Sequence, residues 1–277
     1  MSKGISIGII GGTGSMGQWF RKFFSDAGHT VLISGRKTEL TSADIAKKCE
    51  VIILSLPIDV AIAVSGEIGP LLNDSQLLMD LCSLKEKMLK SMLGSTSADV
   101  IGTHPLFGPF TDSIKGQNVI LCQGRGERRL KWLENEYISK GASVTVMDPS
   151  VHDRHMAVVQ GLTHFLTICM GRTLQKMNMD AGSALSCSTP VFRINYDLIG
   201  RLFAQDLDLY KSIINNNKHF NDVFEVFLSS VYEGKSAFLS DSENGGSLYL
   251  ENIREFFKNS CQEALKESNK IISALYR

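Results

Sequence analysis

Ile9-Ile10-Gly11-Gly12-Thr13-Gly14-Ser15-Met16-Gly17 decides the fold of this chain, read together with Val31-Leu32-Ile33-Ser34-Gly35-Arg36 downstream. The apolar run Ile5–Ile10 ends in glycines, and a helix-like stretch, Gln18 to Ala27, follows at once. Gly12-x-Gly14-x-x-Gly17 is the spacing of a dinucleotide-binding turn. One glycine makes the tight turn, the second lets the backbone approach a pyrophosphate, and the third lets helix and strand pack closely. The helix N-terminus then faces the phosphates. The bare pattern is a weak signal. A strand before it, a helix after it and a second strand about 20 residues on supply the context it requires. Thr13, Ser15 and Met16, between the glycines, complete the candidate cofactor loop.

Outward from this turn, the first half of the chain alternates. Apolar, β-branched runs occur at Ile5–Ile10, Thr30–Ile33, Val51–Leu56, Leu77–Leu81, Val100–Thr103, Asn118–Cys122 and Ser143–Val146. Helix-like stretches lie at Met16–Ala27, Ser42–Lys48, Val60–Leu72, Leu84–Leu93 and Glu127–Lys140. Strands alternating with helices predict βαβ units and a Rossmann-type, mostly parallel, doubly wound sheet. How the strands after His104 pair is left open. Near Asp148-Pro149-Ser150 the character changes. Apolar residues then recur at helical spacing through Met156–Met177, Tyr196–Ile214, Val223–Leu239 and Leu248–Leu275. Breakers separate them at Ser186–Pro190, Asn215–Asn217 and Ser240–Gly246. The expectation is an α/β dinucleotide-binding domain over 1–149 and an all-helical domain over 150–277. Its apolar surface suits substrate binding and homodimerisation.

Composition narrows the function classes. Lys+Arg and Asp+Glu both number 29 in 277 residues, so no net charge pulls the chain toward nucleic acid or an anionic membrane. An anionic ligand therefore needs a local cluster of positive charge. The six cysteines are scattered with no C-x-x-C pair, which argues against a zinc site or a redox dithiol. Reduced thiols, no signal peptide and no apolar run long enough to span a bilayer predict a cytoplasmic protein.

In doubly wound sheets ligands bind at the carboxyl ends of the strands. The third strand leads into Ser55-Leu56-Pro57, where Leu56 and Pro57 are expected to pass close to the cofactor. The fourth leads into Asp80-Leu81-Cys82-Ser83-Leu84-Lys85, and the fifth into Gly102-Thr103-His104-Pro105-Leu106-Phe107-Gly108-Pro109. Ser83 and His104 thus fall on neighbouring loops at one edge. A histidine with a hydroxyl partner there suits a general base, the serine fixing its orientation.

These stretches carry a resemblance. With His152-Asp153-Arg154, Gln160-Gly161-Leu162-Thr163-His164-Phe165, Ser188-Thr189-Pro190-Val191-Phe192-Arg193 and Ile199-Gly200-Arg201-Leu202-Phe203-Ala204-Gln205-Asp206, the chain resembles the prephenate/arogenate dehydrogenases of tyrosine biosynthesis over roughly residues 5 to 240. The His-Pro-Leu-Phe-Gly-Pro and Arg-Leu-Phe-Ala-Gln-Asp stretches are the distinctive ones. The length leaves no room for the fused chorismate mutase domain of some relatives, and no separate regulatory domain is evident.

The resemblance implies an oxidative decarboxylation. Hydride leaves the hydroxyl-bearing ring carbon of prephenate for a nicotinamide, the ring carboxylate leaves as carbon dioxide, and the ring becomes aromatic. It implies that His104 bonds the ring hydroxyl and assists its deprotonation, with Ser83 as its partner. It implies that Arg201 holds a substrate carboxylate, a task suited to a planar guanidinium. His164 matches the family's Leu-x-His-Phe motif and is assigned to the pocket, with Gln160 one turn earlier on the same face. Arg193 either helps bind substrate or pairs with a carboxylate between helices. Tyr210 is a candidate to close the pocket, against the plain alternative of a core aromatic. His152, His155 and Asp153 are read as no metal site, because no further ligand completes one.

NAD-binding relatives of this fold place Asp or Glu at the end of the second strand, for the ribose hydroxyls. Here the position reads Ser34-Gly35-Arg36-Lys37. Ser34, Arg36 and Lys37 suit a 2′-phosphate, which favours NADP over NAD. The alternatives are arogenate as substrate, a β-hydroxyacid or imine-reducing dehydrogenase, and a non-enzymatic NADP-sensing regulator.

Overall fold

In the computed structural model, residues 4–239 and 244–275 are described. The chain start at 1–3, and residues 240–243 of the expected break at Ser240–Gly246, lie outside the described residues. Seven strands form one sheet: β1 (Ser6–Ile10), β2 (Thr30–Ser34), β3 (Val51–Leu54), β4 (Leu77–Asp80), β5 (Asp99–Pro105), β6 (Asn118–Arg125) and β7 (Ser143–Val146). Their order is β2-β1-β3-β4-β5-β6-β7. All pairings are parallel except β5 with β6. The order reverses between β1 and β3, which is where doubly wound sheets open a crevice for a ligand.

Six helices accompany these strands: α1 (Ser15–Asp26), α2 (Ser42–Lys48), α3 (Ile58–Ile68), α4 (Glu86–Ser95), α5 (Glu127–Ile138) and α6 (Pro149–Met156). They explain why β3 reads Val-Ile-Ile-Leu rather than alternating. Both sheet faces are covered, so every side chain of β3 is fully buried. Ile52 and Leu54 pack with Ile45 of α2, Ala61 of α3 and Met88 of α4. Val51 and Ile53 pack on the opposite face with Phe20 and Phe24 of α1 and Leu133 and Tyr137 of α5. Each such aliphatic side chain contributes about 1.5–3 kcal/mol on burial. Local signals agree with this packing. Thr41 and Asp44 form a reciprocal cap on α2, Asp44 Oδ2 accepting from Thr41 N at 2.9 Å and Thr41 Oγ1 from Asp44 N at 3.1 Å.

The chain divides into two compact units, Met1–Met156 and Ala157–Arg277. This division falls after α6, where Met156 joins the core that lines one face of the sheet and His152 bonds into β5.

The second unit begins with a π-type stretch, Ala157–Leu162, followed by α7 (Thr163–Lys176), α8 (Ala181–Ser186), α9 (Pro190–Phe203), α10 (Leu207–Asn215), α11 (Phe220–Leu239) and α12 (Gly245–Ala274). It is helical as expected, with finer punctuation. Ser186–Pro190 is the end of α8 and the start of α9, where Thr189 Oγ1 accepts from Phe192 N at 3.2 Å and Pro190 takes the first helical position. The expected helix Tyr196–Ile214 is broken at Asp206, whose side chain caps α10. Among the described residues the buried apolar side chains of this unit are only Ala157, Ala184, Leu202, Tyr210 and Ile213.

Candidate active site

The glycine turn shows how a nucleotide would be held. Ser34 at the end of β2 accepts from both Gly11 N and Gly12 N through its carbonyl, at 2.9 and 3.1 Å. The tight turn belongs to Gly11, at φ 81°, not to the first glycine of the Gly12-x-Gly14-x-x-Gly17 triplet. A side chain on Gly11 would also meet Ser55 O at 2.2 Å. Gly17 is the close-packing position, since a Cβ there would lie 2.6 Å from Gly11 O. Gly14 is different: a Cβ there would meet only Gly11 O, at 3.3 Å, so packing does not require glycine. Gly14 caps α1 without any side-chain bond, and the first turn of α1 holds no carboxylate. An open, uncapped helix N-terminus beside a backbone without side chains fits a phosphate. Thr13, Gly14 and Ser15 are exposed, Met16 is half-buried and Gly12 is buried. Leu56 is half-buried beside Gly11, and exposed Pro57 opens α3.

At the ribose end, Ser34 departs from expectation. Its side chain is buried, and it serves the site through its backbone carbonyl rather than as a surface ligand. Arg36 and Lys37 are exposed and have no ion-pair partner among the described residues. Both charges are therefore open to solvent.

His104 is not on a loop. Pairing with β6 extends β5 through Pro105, so His104 sits within the strand opposite Ile120 and is 2% exposed. The expected partner also differs. No hydrogen bond joins Ser83, half-buried in the turn after β4, to His104. His104 Nδ1 instead lies 2.9 Å from Nε2 of His152 on α6, the two rings edge to face. His152 Nδ1 lies 2.7 Å from Asp153 Oδ1. Asp153 is held in turn at the start of α4, accepting from Lys85 N at 2.8 Å and from Glu86 N at 3.0 Å. Beneath it the fully buried Lys85 forms an ion pair with Asp80 and donates to Thr103 O at 2.8 Å. The strap ties the end of β4 to β5 next to His104.

Electrostatics assign the charges. Burial, with the nearby His152 and Lys85, holds His104 well below the usual histidine range, so it is neutral at pH 7. Burial also lowers His152, outweighing the pull of Asp153. Burial works against ionisation of Asp153, yet the bonds from His152 and the Glu86 and Lys85 amides outweigh it and keep the carboxyl low.

The helical unit gathers other expected residues. His164 of α7 packs edge to face on Tyr210 of α10, ring centroids 4.9 Å apart. Burial raises the Tyr210 hydroxyl, and the charge of Arg201 on α9 opposes that rise, which places Arg201 near the same ring. Burial lowers His164. Gln160 is half-buried in the π-type stretch, so regular helical spacing does not set its face relative to His164. Arg193 is exposed and pairs with Asp197 one turn along the same helix, Nε to Oδ2 at 3.1 Å, rather than with a carboxylate on another helix. Among the described residues no group of His, Cys, Asp and Glu is arranged to hold a metal.

Three residues carry more of the geometry than the sequence indicated: His152, Asp153 and Lys85. The adjacent His-Asp pair was visible, but nothing in it points to a partner 48 residues upstream.

Comparison with known proteins adds the family context. A family model described as the prephenate dehydrogenase nucleotide-binding domain matches residues 29–146, and one described as the prephenate dehydrogenase dimerization domain matches 148–265. The first match starts after the glycine turn, which therefore rests on its own geometry. A probable arogenate/prephenate dehydrogenase of Methanocaldococcus jannaschii is 31% identical over 290 residues, covering 98% of this chain and 65% of that protein. The T-protein of Haemophilus influenzae is 31% identical over 264 residues, covering 95% of this chain and 70% of that protein. The chain thus spans about two thirds of the length of these relatives. Prephenate dehydrogenase from Aquifex aeolicus, solved with hydroxyphenyl propionate and NAD+, matches with a TM-score of 0.75 at 19% identity, covering 93% of this chain and 98% of that one. Synechocystis arogenate dehydrogenase matches with a TM-score of 0.70 at 14% identity, covering 95% of this chain and 100% of that one. At such identities these structures bear on the fold.

Proposed function

The chain belongs to the prephenate dehydrogenase family, and on that premise we propose that it converts prephenate to 4-hydroxyphenylpyruvate and carbon dioxide, in tyrosine biosynthesis. A nicotinamide cofactor supplies the hydride acceptor. The observation that carries this reading is His104: a buried, neutral imidazole at the carboxyl end of β5, in the same sheet whose β1 ends in the open glycine turn. A neutral histidine in reach of a ring hydroxyl takes its proton as the hydride leaves. Aromatisation drives the rest, so binding and orientation are the protein's main tasks.

The remaining roles follow this reading. Arg201 holds a substrate carboxylate, and His164 and Gln160 line the same pocket. Arg193 is a lesser candidate, since Asp197 already engages it. Ser83 contributes its hydroxyl near His104 once substrate and cofactor are bound. The exposed Arg36 and Lys37 after the second strand support NADP over NAD. Exposed apolar residues along α11 and α12 support a homodimer through the helical unit. Six unbridged cysteines fit a reducing compartment, the cytoplasm.

Arogenate is the second reading, supported by the similarity to the probable arogenate/prephenate dehydrogenase of Methanocaldococcus jannaschii. The test is a panel of kcat/KM values for prephenate and arogenate, each with NADP and NAD. Prephenate with NADP is expected to be the fastest pair. A higher value with NAD would overturn the cofactor assignment, and then Arg36→Asp would change little.

A further inference from the structure

The buried polar cluster behind His104 is larger than an isolated base needs. A base held by one hydroxyl would not require a second imidazole, a carboxylate clamped by two helix amides and an ion pair, all removed from water. Burying such groups is costly unless each is satisfied. The bonds that join Asp153, His152 and His104 share one direction. Asp153 already accepts from two backbone amides, so its oxygens act as acceptors. His152 Nδ1, 2.7 Å away, must then carry a proton. With His152 neutral, its Nε2 is an acceptor, and the 2.9 Å contact requires the proton on His104 Nδ1. The lone pair of His104 is thereby placed on Nε2.

We propose that His152, oriented by Asp153, is a positioning residue that fixes the Nδ1–H tautomer of His104, leaving Nε2 as the base. This rests on the reading of His104 as the base of the proposed reaction. Neutrality of His152 is the condition. The groups that bear on the pair are Lys85 and Asp80 from β4 and the turn after it, Asp153 beside His152, and, on His104, the His152 imidazole. Burial and Lys85 favour neutral rings, Asp80 and Asp153 favour a charged His152, and burial prevails. When His104 Nε2 takes the substrate proton, its Nδ1–H already points along the bond to His152, toward the carboxylate that steadies the new charge. No further proton needs to move.

The test uses the full chain, labelled with nitrogen-15 in its histidine rings. In the wild type the His104 ring, assigned by its loss in His104→Asn, is expected to carry its proton on Nδ1 at neutral pH. In His152→Leu the proton should move largely to Nε2. With prephenate and NADP, His152→Leu should lower kcat about 10- to 100-fold, the scale of a misplaced catalytic group, with both KM values nearly kept. His152→Gln, whose amide oxygen can accept from His104 Nδ1, should recover a large part of the loss. A wild-type His104 protonated on Nε2 overturns the proposal even if His152→Leu fails to fold. So does a folded His152→Leu with unchanged kcat. If the wild type turns over neither prephenate nor arogenate, the proposed function fails, and the tautomer measurement decides the positioning role by itself.

Discussion

The sheet-based unit and the helical unit bury their side chains very differently. In the first, all four residues of β3 are at 0% exposure, as are Phe20, Phe24, Lys85 and Tyr137. In the second, α7, α11 and α12 contain no buried residue, and Val226, Phe256 and Leu239 are 68%, 82% and 78% exposed. The first unit completes its own core. The second displays on long helices the kind of surface that proteins normally cover. That surface is the one the proposed homodimer would cover, and the family model that matches this part of the chain is described as a dimerization domain. The polar chemistry divides the same way: His104 lies in a rigid buried network, whereas Arg201 and Arg193 are exposed.

The sharpest way to break this comparison is to remove the base. His104→Asn should lower kcat by about 10²–10⁴, the usual worth of a general base, with cofactor affinity nearly kept. An unchanged kcat would remove the chemistry from the sheet unit.

Next in size is a contrast in stability. Ile53→Ala should cost about 2–5 kcal/mol in urea unfolding and leave the oligomeric mass unchanged. Phe256→Lys should do the reverse, shifting light-scattering mass toward the monomer while the sheet unit keeps its unfolding midpoint. A wild type already monomeric at micromolar concentration would contradict the reading of the helical surface.

Arg201→Gln is expected to raise the KM for prephenate roughly tenfold or more, since a charge-assisted bond is worth about 1.5–3 kcal/mol. Its kcat should fall less. Equal losses in both would move Arg201 from binding to the transition state.

The smallest effect is on pH dependence. His104 and His152 are both lowered from 6.5 by burial. Below about pH 6.5 the unfolded chain therefore binds more protons at these rings than the folded one does. Stability of the sheet unit should be full above that value and decline as pH falls below it. His152→Leu should flatten the decline, and an equally steep decline in that variant would contradict the burial argument.

How much of this was legible in the sequence follows from the range of the forces involved. The central strands were readable because parallel strands buried on both faces are continuous runs such as Val51-Ile52-Ile53-Leu54. The edge strand β7, with no buried residue, was readable from its β-branched Val-Thr-Val alone. The glycine turn was readable because its spacing is local, although the tight turn falls on Gly11 rather than Gly12. The antiparallel pairing of β5 with β6 was not readable, since neither run records its partner's direction. That pairing is what draws His104 off a loop and into a strand. The link from His104 to His152 is a tertiary contact, and no period or propensity encodes it. The end of α9 at Phe203 and the restart at Leu207 were missed because one apolar pattern runs through both, with Asp206 as the overlooked cap. Arg193 is a different miss: the expectation was substrate or a carboxylate between helices. Asp197, four residues on along the same helix, is the local partner that spacing alone allowed and that was passed over.

The most direct test of the central claim is the stoichiometry of product formation from prephenate by the purified chain. The account predicts one reduced cofactor and one 4-hydroxyphenylpyruvate for each prephenate consumed, with NADP as the better acceptor. Cofactor binding with no turnover of prephenate would contradict it.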